Sequence, residues 1–226
     1  MSVARARQRP PETPGARSFL PAHPTLASLR AVVSGCRGCP LYREATQAVF
    51  GEGGERAQVM LIGEQPGDAE DLAGKPFVGP AGKVLDDALE VAGIPRTDTY
   101  VTNVVKHFKF TRRGKRRIHE KPTRYEVDAC RPWLDVEHQL VSPTIVVVLG
   151  ATAAQSLLGS TFRVTKERGI ERETALARHT FATVHPASVL RAPDEELRRV
   201  AREEFFADMR VVGECYRRVI AGARGA

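Results

Sequence analysis

Residues 109–121, KFTRRGKRRIHEK, combine a dense positive charge with a single imidazole. The segment holds seven Lys or Arg, one Glu and His119, so its surplus of six positive charges nearly equals the net charge of +7 of the whole chain. Such local basicity indicates a polyanionic partner, and nucleic acid is the foremost candidate. We therefore predict that Lys115, Arg116 and Arg117 bind nucleic-acid phosphates. The alternative is a solvated surface loop whose charge is incidental.

Two motifs place polar side chains where apolar runs end. The sequence GEQPG at 63–67 puts Glu64 and Gln65 into a turn that glycine and proline keep tight. Asn103 lies where the next predicted strand ends, and its side-chain amide can both donate and accept toward the Watson–Crick edge of a base. A purely structural turn and an Asn that caps a turn are the alternatives.

Two further motifs offer an aromatic ring and a mixed polar group. Phe77 lies among the glycines of GKPFVGPAG at 74–82, where its ring can stack on a flat ligand or, alternatively, pack in the core. HPASVLR at 185–191 combines the imidazole of His185, the hydroxyl of Ser188 and the cation of Arg191. This combination is suited to contact both a base and a nucleic-acid backbone.

Four cysteines in 226 residues are too few for a disulfide framework. Cys36 and Cys39, separated by two residues, instead indicate metal, cluster or redox chemistry in a reducing compartment. Cys215 falls on the apolar face of the last predicted helix with Val212 and Val219, so we predict that it is a buried core thiol.

Length and composition bound the architecture. With 226 residues, 42% of them hydrophobic and 27% charged, the chain can build one sizeable core. We predict a disordered tail over 1–22, which is rich in Pro and Arg, and a single domain over 23–226. No apolar stretch approaches the length of a signal or membrane segment, so we expect a soluble, cytoplasmic protein without a membrane partner.

Apolar runs alternate with helical patterns along most of the chain. The predicted strands are 58–62, 100–105, 145–149 and 180–184, and the predicted helices are 23–35, 80–92, 123–141, 151–158 and 194–220. This alternation predicts a parallel sheet with helices on both faces. Since ligands of such sheets bind at the carboxyl ends of the strands, residues 63–67, Asn103 and 185–191 are expected to form one site.

Taken jointly, the motifs GEQPG, GKPFVGPAG, TNVVKHFKF, KRRIH and HPASVLR, in this order and spacing, resemble those of the iron–sulfur uracil-DNA glycosylases. The basic KRRIH segment looks like that of the X-type branch of the family (UdgX). The resemblance covers residues from about 36 to 191 and most of the last helix. It implies an α/β fold, a three-layer α/β/α sandwich with a central, mainly parallel four-stranded sheet.

The resemblance also implies a [4Fe-4S] cluster, which the family ordinarily holds with four Cys. Cys36, Cys39 and Cys130 match that pattern, whereas His107 stands where the fourth Cys is expected. Imidazole can ligate cluster iron, so these four residues are the predicted ligands. A zinc ion on the same three thiols and one imidazole is the alternative outside the family.

For the reaction, the resemblance implies that uracil is excised from single- and double-stranded DNA and leaves as the free base. Phe77 would stack on the flipped uracil and Asn103 would read its polar edge. His185 would donate to the carbonyl oxygen on which charge accumulates. Gly63 and Gln65 would help to hold the base.

In the X-type interpretation, His119 attacks C1′ of the sugar and stays bonded to it. Glu64 would orient the imidazole and take up or stabilise the proton that it loses. The protein, expected to be a bacterial monomer associated with the nucleoid when bound to DNA, would thus capture its substrate in a single-turnover repair activity. One alternative is a multiple-turnover uracil-DNA glycosylase in which His119 only contacts DNA. The other is a non-catalytic nucleic-acid-binding iron–sulfur protein, against which the joint presence of Glu64, Asn103 and His185 argues.

Overall fold

The computed structural model describes residues 14–224. Its α-helices are α1 (Leu26–Val32), α2 (Asp68–Ala73), α3 (Pro80–Ala92), α4 (Arg124–Val141), α5 (Ala151–Leu157), α6 (Val164–Glu167), α7 (Pro186–Leu190) and α8 (Glu195–Arg224). Its strands are β1 (Glu52–Gly53), β2 (Val59–Gly63), β3 (Thr99–Asn103), β4 (Phe110–Arg113), β5 (Arg116–His119), β6 (Ile145–Leu149) and β7 (His179–Thr183). Short 3-10 turns occur at Ala16–Phe19, Val33–Gly35, Pro40–Arg43 and Arg96–Asp98.

The central sheet has the order β1-β3-β2-β6-β7. Strands β3, β2, β6 and β7 run parallel, which confirms the predicted parallel sheet. The sheet has one strand more than predicted, because β1 pairs antiparallel with β3 at the edge. A strand of two residues carries no alternation that a sequence pattern could reveal.

Both faces of the sheet are covered, since side chains of a strand point alternately to opposite faces. Met60 and Ile62 of β2 face a core that α1, α4 and α5 complete, whereas Val59 and Leu61 face a core that α3 and α8 complete. Strands β2 and β6 are buried along their whole lengths, which is why each reads as a continuous apolar run. The fold is the predicted three-layer α/β/α sandwich.

Local signals place the ends of the main helices. At the start of α4, the Thr123 hydroxyl accepts from the Glu126 N–H at 3.3 Å and the Glu126 carboxylate accepts from the Thr123 N–H at 2.6 Å. Helix α3 starts with Pro80 and ends at Gly93, whose φ of 69° lies in the left-handed region. Within residues 14–224 no helix is both long enough and apolar enough to cross a membrane.

The basic segment at 109–121 forms a β-hairpin. Phe110 of β4 pairs with His119 of β5, and Arg113 pairs with Arg116 across a turn in which Gly114 has a φ of 57°. The hairpin forms a two-stranded sheet of its own, separate from the central sheet. It brings His119 to the last pairing position, beside the hairpin's base.

The predicted tail over 1–22 lies outside the described residues up to 13. From 14 to 22 the structure differs from the prediction, because Ala16–Phe19 form a 3-10 turn that packs against α4. The Ala16 side chain is fully buried there and contributes to the core. The boundary between tail and domain therefore falls before the predicted one.

Candidate active site

A cavity of about 480 Å³ opens at the carboxyl ends of the parallel strands. Strand β2 leads into Glu64 and Gln65, β3 ends at Asn103, and β7 leads into His185. The walls combine residues from the motifs that the sequence singled out: Glu64, Gln65, Phe77, Asn103, His119, His185, Ser188 and Arg191. The expectation that the polar residues after the strands share one site is confirmed by this cavity.

Asn103 and Phe77 face each other across Gly63. A Cβ at Gly63 would collide with both the Asn103 Oδ1 and the Phe77 ring, so only glycine permits this approach. Asn103 is 3% exposed, and its Oδ1 is buried without a hydrogen-bond partner. Because an unpaired buried acceptor is costly, it marks a position that a ligand donor can satisfy. Phe77 has a φ of 54°, a strained backbone of the kind that collects at binding sites.

His185 is held in one tautomer by its own helix. Its Nδ1 accepts a hydrogen bond from the Ala187 N–H at 3.2 Å, so the ring proton resides on Nε2. Burial, assisted by the positive charge of Arg191 and by that of His119 when it is protonated, lowers the pKa of His185 to about 4. The imidazole is therefore neutral at neutral pH and offers an N–H donor. Its ring stacks on Phe77 with centroids 5.9 Å apart.

His119 meets Glu64 at the cavity wall. The His119 Nε2 lies 3.5 Å from the Glu64 Oε1, a buried oxygen that makes no hydrogen bond. Burial lowers the pKa of His119, and the negative charge of Glu64 opposes that shift. The neutral ring carries a lone pair on one nitrogen, and the side chain is 40% exposed, so a ligand can reach it.

Gln65 has a different role from the predicted one of holding a base. Its side-chain N–H group donates to the backbone oxygens of Lys109 and Glu120, each at 3.1 Å, and its Oε1 accepts from the Lys109 N–H at 3.2 Å. Lys109 and Glu120 flank the two strands of the hairpin. The amide of Gln65 therefore fastens the base of the hairpin to the turn after β2.

Arg117 also differs from the prediction that it binds phosphate. Its guanidinium contacts Asp68 at 2.5 Å, Asp71 at 2.6 Å and the Thr46 hydroxyl at 3.1 Å. It also lies over the rings of Phe108 and Phe110, at 5.5 and 5.1 Å from the centroids. Its side chain is only 12% exposed, so it anchors the hairpin to α2.

The remaining predicted DNA contacts lie on the surface around the cavity. Lys115 and Arg116 are exposed at the tip of the hairpin, and Arg191 is exposed at the rim. Ser188 is exposed as well, but its hydroxyl donates to the His185 carbonyl at 2.7 Å. The hydroxyl thus supports the short helix α7 in addition to facing the cavity.

The sequence did not single out the acidic residues that fix these loops. Asp71 is fully buried and accepts from the Thr46 N–H at 3.0 Å as well as from Arg117. Glu70 accepts from the Gly67 N–H at 3.1 Å and the Gly79 N–H at 2.9 Å, which ties together the turns around Phe77. In the sequence both residues appear as ordinary members of a first helical turn, and no local pattern marks their distant partners.

Cys36, Cys39, Cys130 and His107 are all buried, at 3–4% exposure, on the α4 side of the sheet. The Trp133 indole N–H donates to the Cys36 Sγ at 3.2 Å, and the Lys106 backbone N–H donates to the Cys130 Sγ at 3.3 Å. Burial raises the pKa of Cys39 to about 11 and of Cys130 to about 12. A positive centre is therefore needed to make these thiols into thiolates.

The donors of this group are of the kinds that either an iron–sulfur cluster or a zinc ion takes. Two ligands of one zinc ion, each at about 2.3 Å or less from the metal, lie within about 4.6 Å of each other. Within residues 14–224, three donor atoms lie mutually within 4.8 Å only in the group of Glu171, His179 and Cys215. In the cysteine group, burial lowers the pKa of His107 to about 4, which leaves its imidazole neutral and able to ligate.

The close group of Glu171, His179 and Cys215 lies at the other end of β7. There the Glu171 carboxylate is already engaged by His179 at 2.6 Å and by Arg218 at 2.7 Å. Cys215 has no exposed surface and packs among Val212 and Phe205. Its placement in the core agrees with the interpretation of Cys215 as a packing residue.

Comparison with known proteins agrees with this architecture. The family model of the Uracil DNA glycosylase superfamily matches residues 50–210. The Type-4 uracil-DNA glycosylase of Thermotoga maritima is 37% identical over 173 residues, covering 76% of this chain and 86% of that protein. Those of Sulfurisphaera tokodaii and Pyrobaculum aerophilum are 36% and 37% identical, covering 80% and 81% of this chain and 82% and 91% of their own lengths. The chain therefore belongs to the uracil-DNA glycosylase superfamily.

Proposed function

We propose that this protein excises uracil from DNA and that His119 then holds the resulting sugar covalently. One observation carries the proposal: the His119 Nε2 lies 3.5 Å from the Glu64 Oε1, in the same cavity that Asn103 and His185 line. A base-recognition pocket is thereby combined with a reachable nucleophile. The relatives named Type-4 uracil-DNA glycosylases support the first half of the proposal, the excision of uracil.

Base recognition and departure fall to three residues in this proposal. Phe77 stacks on uracil that has been flipped out of the DNA, and the Asn103 Oδ1, buried and unpaired, accepts from the uracil N3–H. The His185 Nε2–H donates to the uracil O2 as the glycosidic bond breaks. A fixed donor in a desolvated site stabilises the developing negative charge without reorganisation.

Capture replaces one bond at C1′ by another. The lone pair on the His119 Nε2 forms a bond to C1′ while the C1′–N1 bond breaks and its electron pair leaves with uracil. The ring becomes an alkylated imidazolium, which Glu64 stabilises, and the proton on its other nitrogen then passes to solvent water. The uracil anion takes up a proton from water and leaves as free uracil. Because an alkylated imidazole is a poor leaving group, the protein stays attached to the sugar.

We further propose that Cys36, Cys39, His107 and Cys130 hold a [4Fe-4S] cluster. The fit rests on their common burial, on the three thiols and one imidazole that they offer, and on the two N–H groups that donate to the Cys36 and Cys130 sulfurs. Such a centre, when bound, joins the loop before β1, the segment after β3 and α4. Its role in this proposal is structural, since excision of uracil transfers no electron.

The test is a denaturing gel after incubation of the protein with an oligonucleotide that contains one uracil. We expect a protein–DNA complex that survives heat and detergent, with one free uracil released per complex, and no complex with thymine in place of uracil. Repeated release of uracil with no retained complex would instead favour a multiple-turnover uracil-DNA glycosylase. Binding without any release of uracil would reject both.

A further inference from the structure

We propose that Lys106 is the positioning residue for base recognition, because it fixes the backbone that carries Asn103. The inference rests on the proposed uracil excision and assigns a role to a residue that does not line the cavity. Lys106 has no exposed surface, and its side chain lies in the core between β3 and α4. A buried ammonium is costly unless its hydrogen bonds are complete.

All three N–H donors of the Lys106 ammonium have an acceptor. The Nζ donates to the Asn103 backbone oxygen at 2.9 Å, to the Thr102 hydroxyl at 2.6 Å, and to the Glu137 carboxylate. The first of these bonds holds the carbonyl of the residue whose amide faces the cavity. A shift in the Asn103 backbone would move its side chain away from the base.

Glu137, which is also fully buried, makes this lysine rigid. Its Oε1 accepts from the Gly51 N–H and from the Tyr100 hydroxyl, each at 3.0 Å, and its Oε2 accepts from the Thr102 hydroxyl at 3.0 Å. With the contact to Lys106, both carboxylate oxygens are satisfied. A network in which every member is paired holds one geometry, and this one extends from α4 to β3.

The backbone around Lys106 connects two further parts of the site. Its N–H donates to the Cys130 Sγ at 3.3 Å, so the same residue touches the cysteine group and, through its Nζ, Asn103. The preceding N–H of Val105 donates to the Glu64 oxygen at 3.1 Å, and that of Val104 donates to the Gly63 oxygen at 3.0 Å. The backbone bonds of residues 104 and 105 therefore fix the position of Asn103 relative to Glu64, and the Lys106 side chain holds this segment in place.

The decisive variant is Lys106→Met combined with Glu137→Gln. The pair of changes keeps the side-chain volumes close to the original and leaves no unpaired buried charge, but it removes the bond to the Asn103 oxygen. Tyr100→Phe is the matched control, because it also removes a hydrogen bond from Glu137 while the Lys106–Asn103 contact remains. Iron content and the thermal unfolding midpoint verify that each variant is folded.

We expect the double variant to release uracil at least about tenfold more slowly in single-turnover experiments, since a hydrogen bond from a charged donor is lost. Its affinity for DNA with a tetrahydrofuran abasic analogue, which has no base to read, should stay within about twofold of wild type. Tyr100→Phe, which leaves the bond to the Asn103 oxygen in place, should slow uracil release much less than the double variant does. In an Asn103→Ala background, the changes at 106 and 137 should add little further loss, because Lys106 acts through Asn103.

Three results would overturn the assignment. These are an unchanged rate of uracil release in the folded double variant, an equal loss of affinity for the abasic analogue, or full additivity with Asn103→Ala. Failure of the proposed function gives a different result, because wild-type protein would then release no uracil at all.

Discussion

The Arg117 Nη1 lies 2.6 Å from the Oδ2 of Asp71, a carboxylate with no exposed surface, and this ion pair fixes the strand that ends at His119. Asp68 and the Phe110 ring complete the seat of the guanidinium. Breaking a buried pair leaves an uncompensated charge, so the contact stabilises the position of the hairpin more than a surface ion pair would. The reach of His119 into the cavity thus depends on a residue two positions earlier.

Arg117→Ala should therefore impair capture without removing any group from the cavity. We expect the rate of covalent complex formation to fall by about 10²-fold, because displacing a reacting group by about 1 Å costs that much. Uracil release should fall less, since Asn103, Phe77 and His185 lie on other elements. Rapid-quench gels and uracil release, measured on the same samples, check the prediction.

Arg116→Ala serves as the matched control, because Arg116 is exposed at the hairpin tip. This variant should capture DNA at nearly the wild-type rate at low salt. Its affinity should depend less steeply on salt, by a slope difference of about one, as expected for the loss of one phosphate contact. Equal losses of capture for Arg116→Ala and Arg117→Ala would show that charge, and not anchoring, is what the hairpin contributes.

His119→Ser should separate excision from capture. The serine side chain is too short to reach C1′, and the space it leaves admits a water molecule, while the base pocket stays intact. We expect no heat-stable complex, together with abasic sites that alkali cleaves. Undiminished cross-linking by this variant would mean that another residue is the nucleophile.

Asn103→Asp should abolish both excision and capture. The change preserves the shape of the side chain but replaces an amide by a carboxylate, which has no N–H to donate and repels the departing uracil anion. A site built to hydrogen-bond its ligand discriminates strongly against a mismatched group, so we expect a loss of at least about 10²-fold in uracil release. Binding to DNA with an abasic analogue is the control and should change little.

The pH dependence of capture should reflect the lowered pKa of His119. Only the neutral imidazole has the lone pair that attacks C1′, and burial places its pKa below the ordinary value of 6.5. As pH falls, half of the imidazole is therefore protonated only at a pH below 6.5. Single-turnover rates over an acid series should fall with a midpoint below 6.5, and a midpoint at or above 6.5 would contradict the prediction. His119→Ser isolates the titration of His185, whose pKa is about 4, through uracil release alone.

The cysteine group can be tested by colour and by metal content. Purified protein should be brown and contain iron, and Cys39→Ser or His107→Ala should lower both. Cys215→Ser should retain the iron, because this thiol lies on the opposite core with Phe205 and Val212. Stoichiometric zinc in colourless protein would overturn the proposed cluster.

The sequence predicted the parts of the fold whose signals are local. Strand β6 is a run of five apolar residues, and α4 carries its own capping box, so each appears at the predicted place within a few residues. The pocket residues followed from topology, because the polar groups after parallel strands converge. The positions of Lys106 and Arg117 were not predicted, because they depend on contacts between distant segments.

Lys106 and Arg117 show what a local pattern cannot reveal. In the sequence each is one more cation, yet Lys106 is buried because Glu137 lies 31 residues away on α4, and Arg117 is anchored because Asp71 lies 46 residues earlier. Similarly, the basic segment lacks the apolar alternation of a strand, and its pairing depends on the Gly114 turn and on Gln65. Whether a charged side chain is buried or exposed depends on distant partners, which the composition of the sequence does not reveal.

Within residues 14–224, β4 and β5 pair only with each other, so the hairpin lies outside the central sheet. It is attached by side-chain contacts to the turn after β2, to Thr46, to α2 and, through the ion pair of Lys109 with Glu126, to α4. In the proposed reaction, whether the DNA is captured or released therefore depends on a segment that lies outside the central sheet. Transplanting residues 109–121 together with Gln65, Asp68 and Asp71 onto a turnover glycosylase of the same architecture should convert a recycling catalyst into a DNA trap.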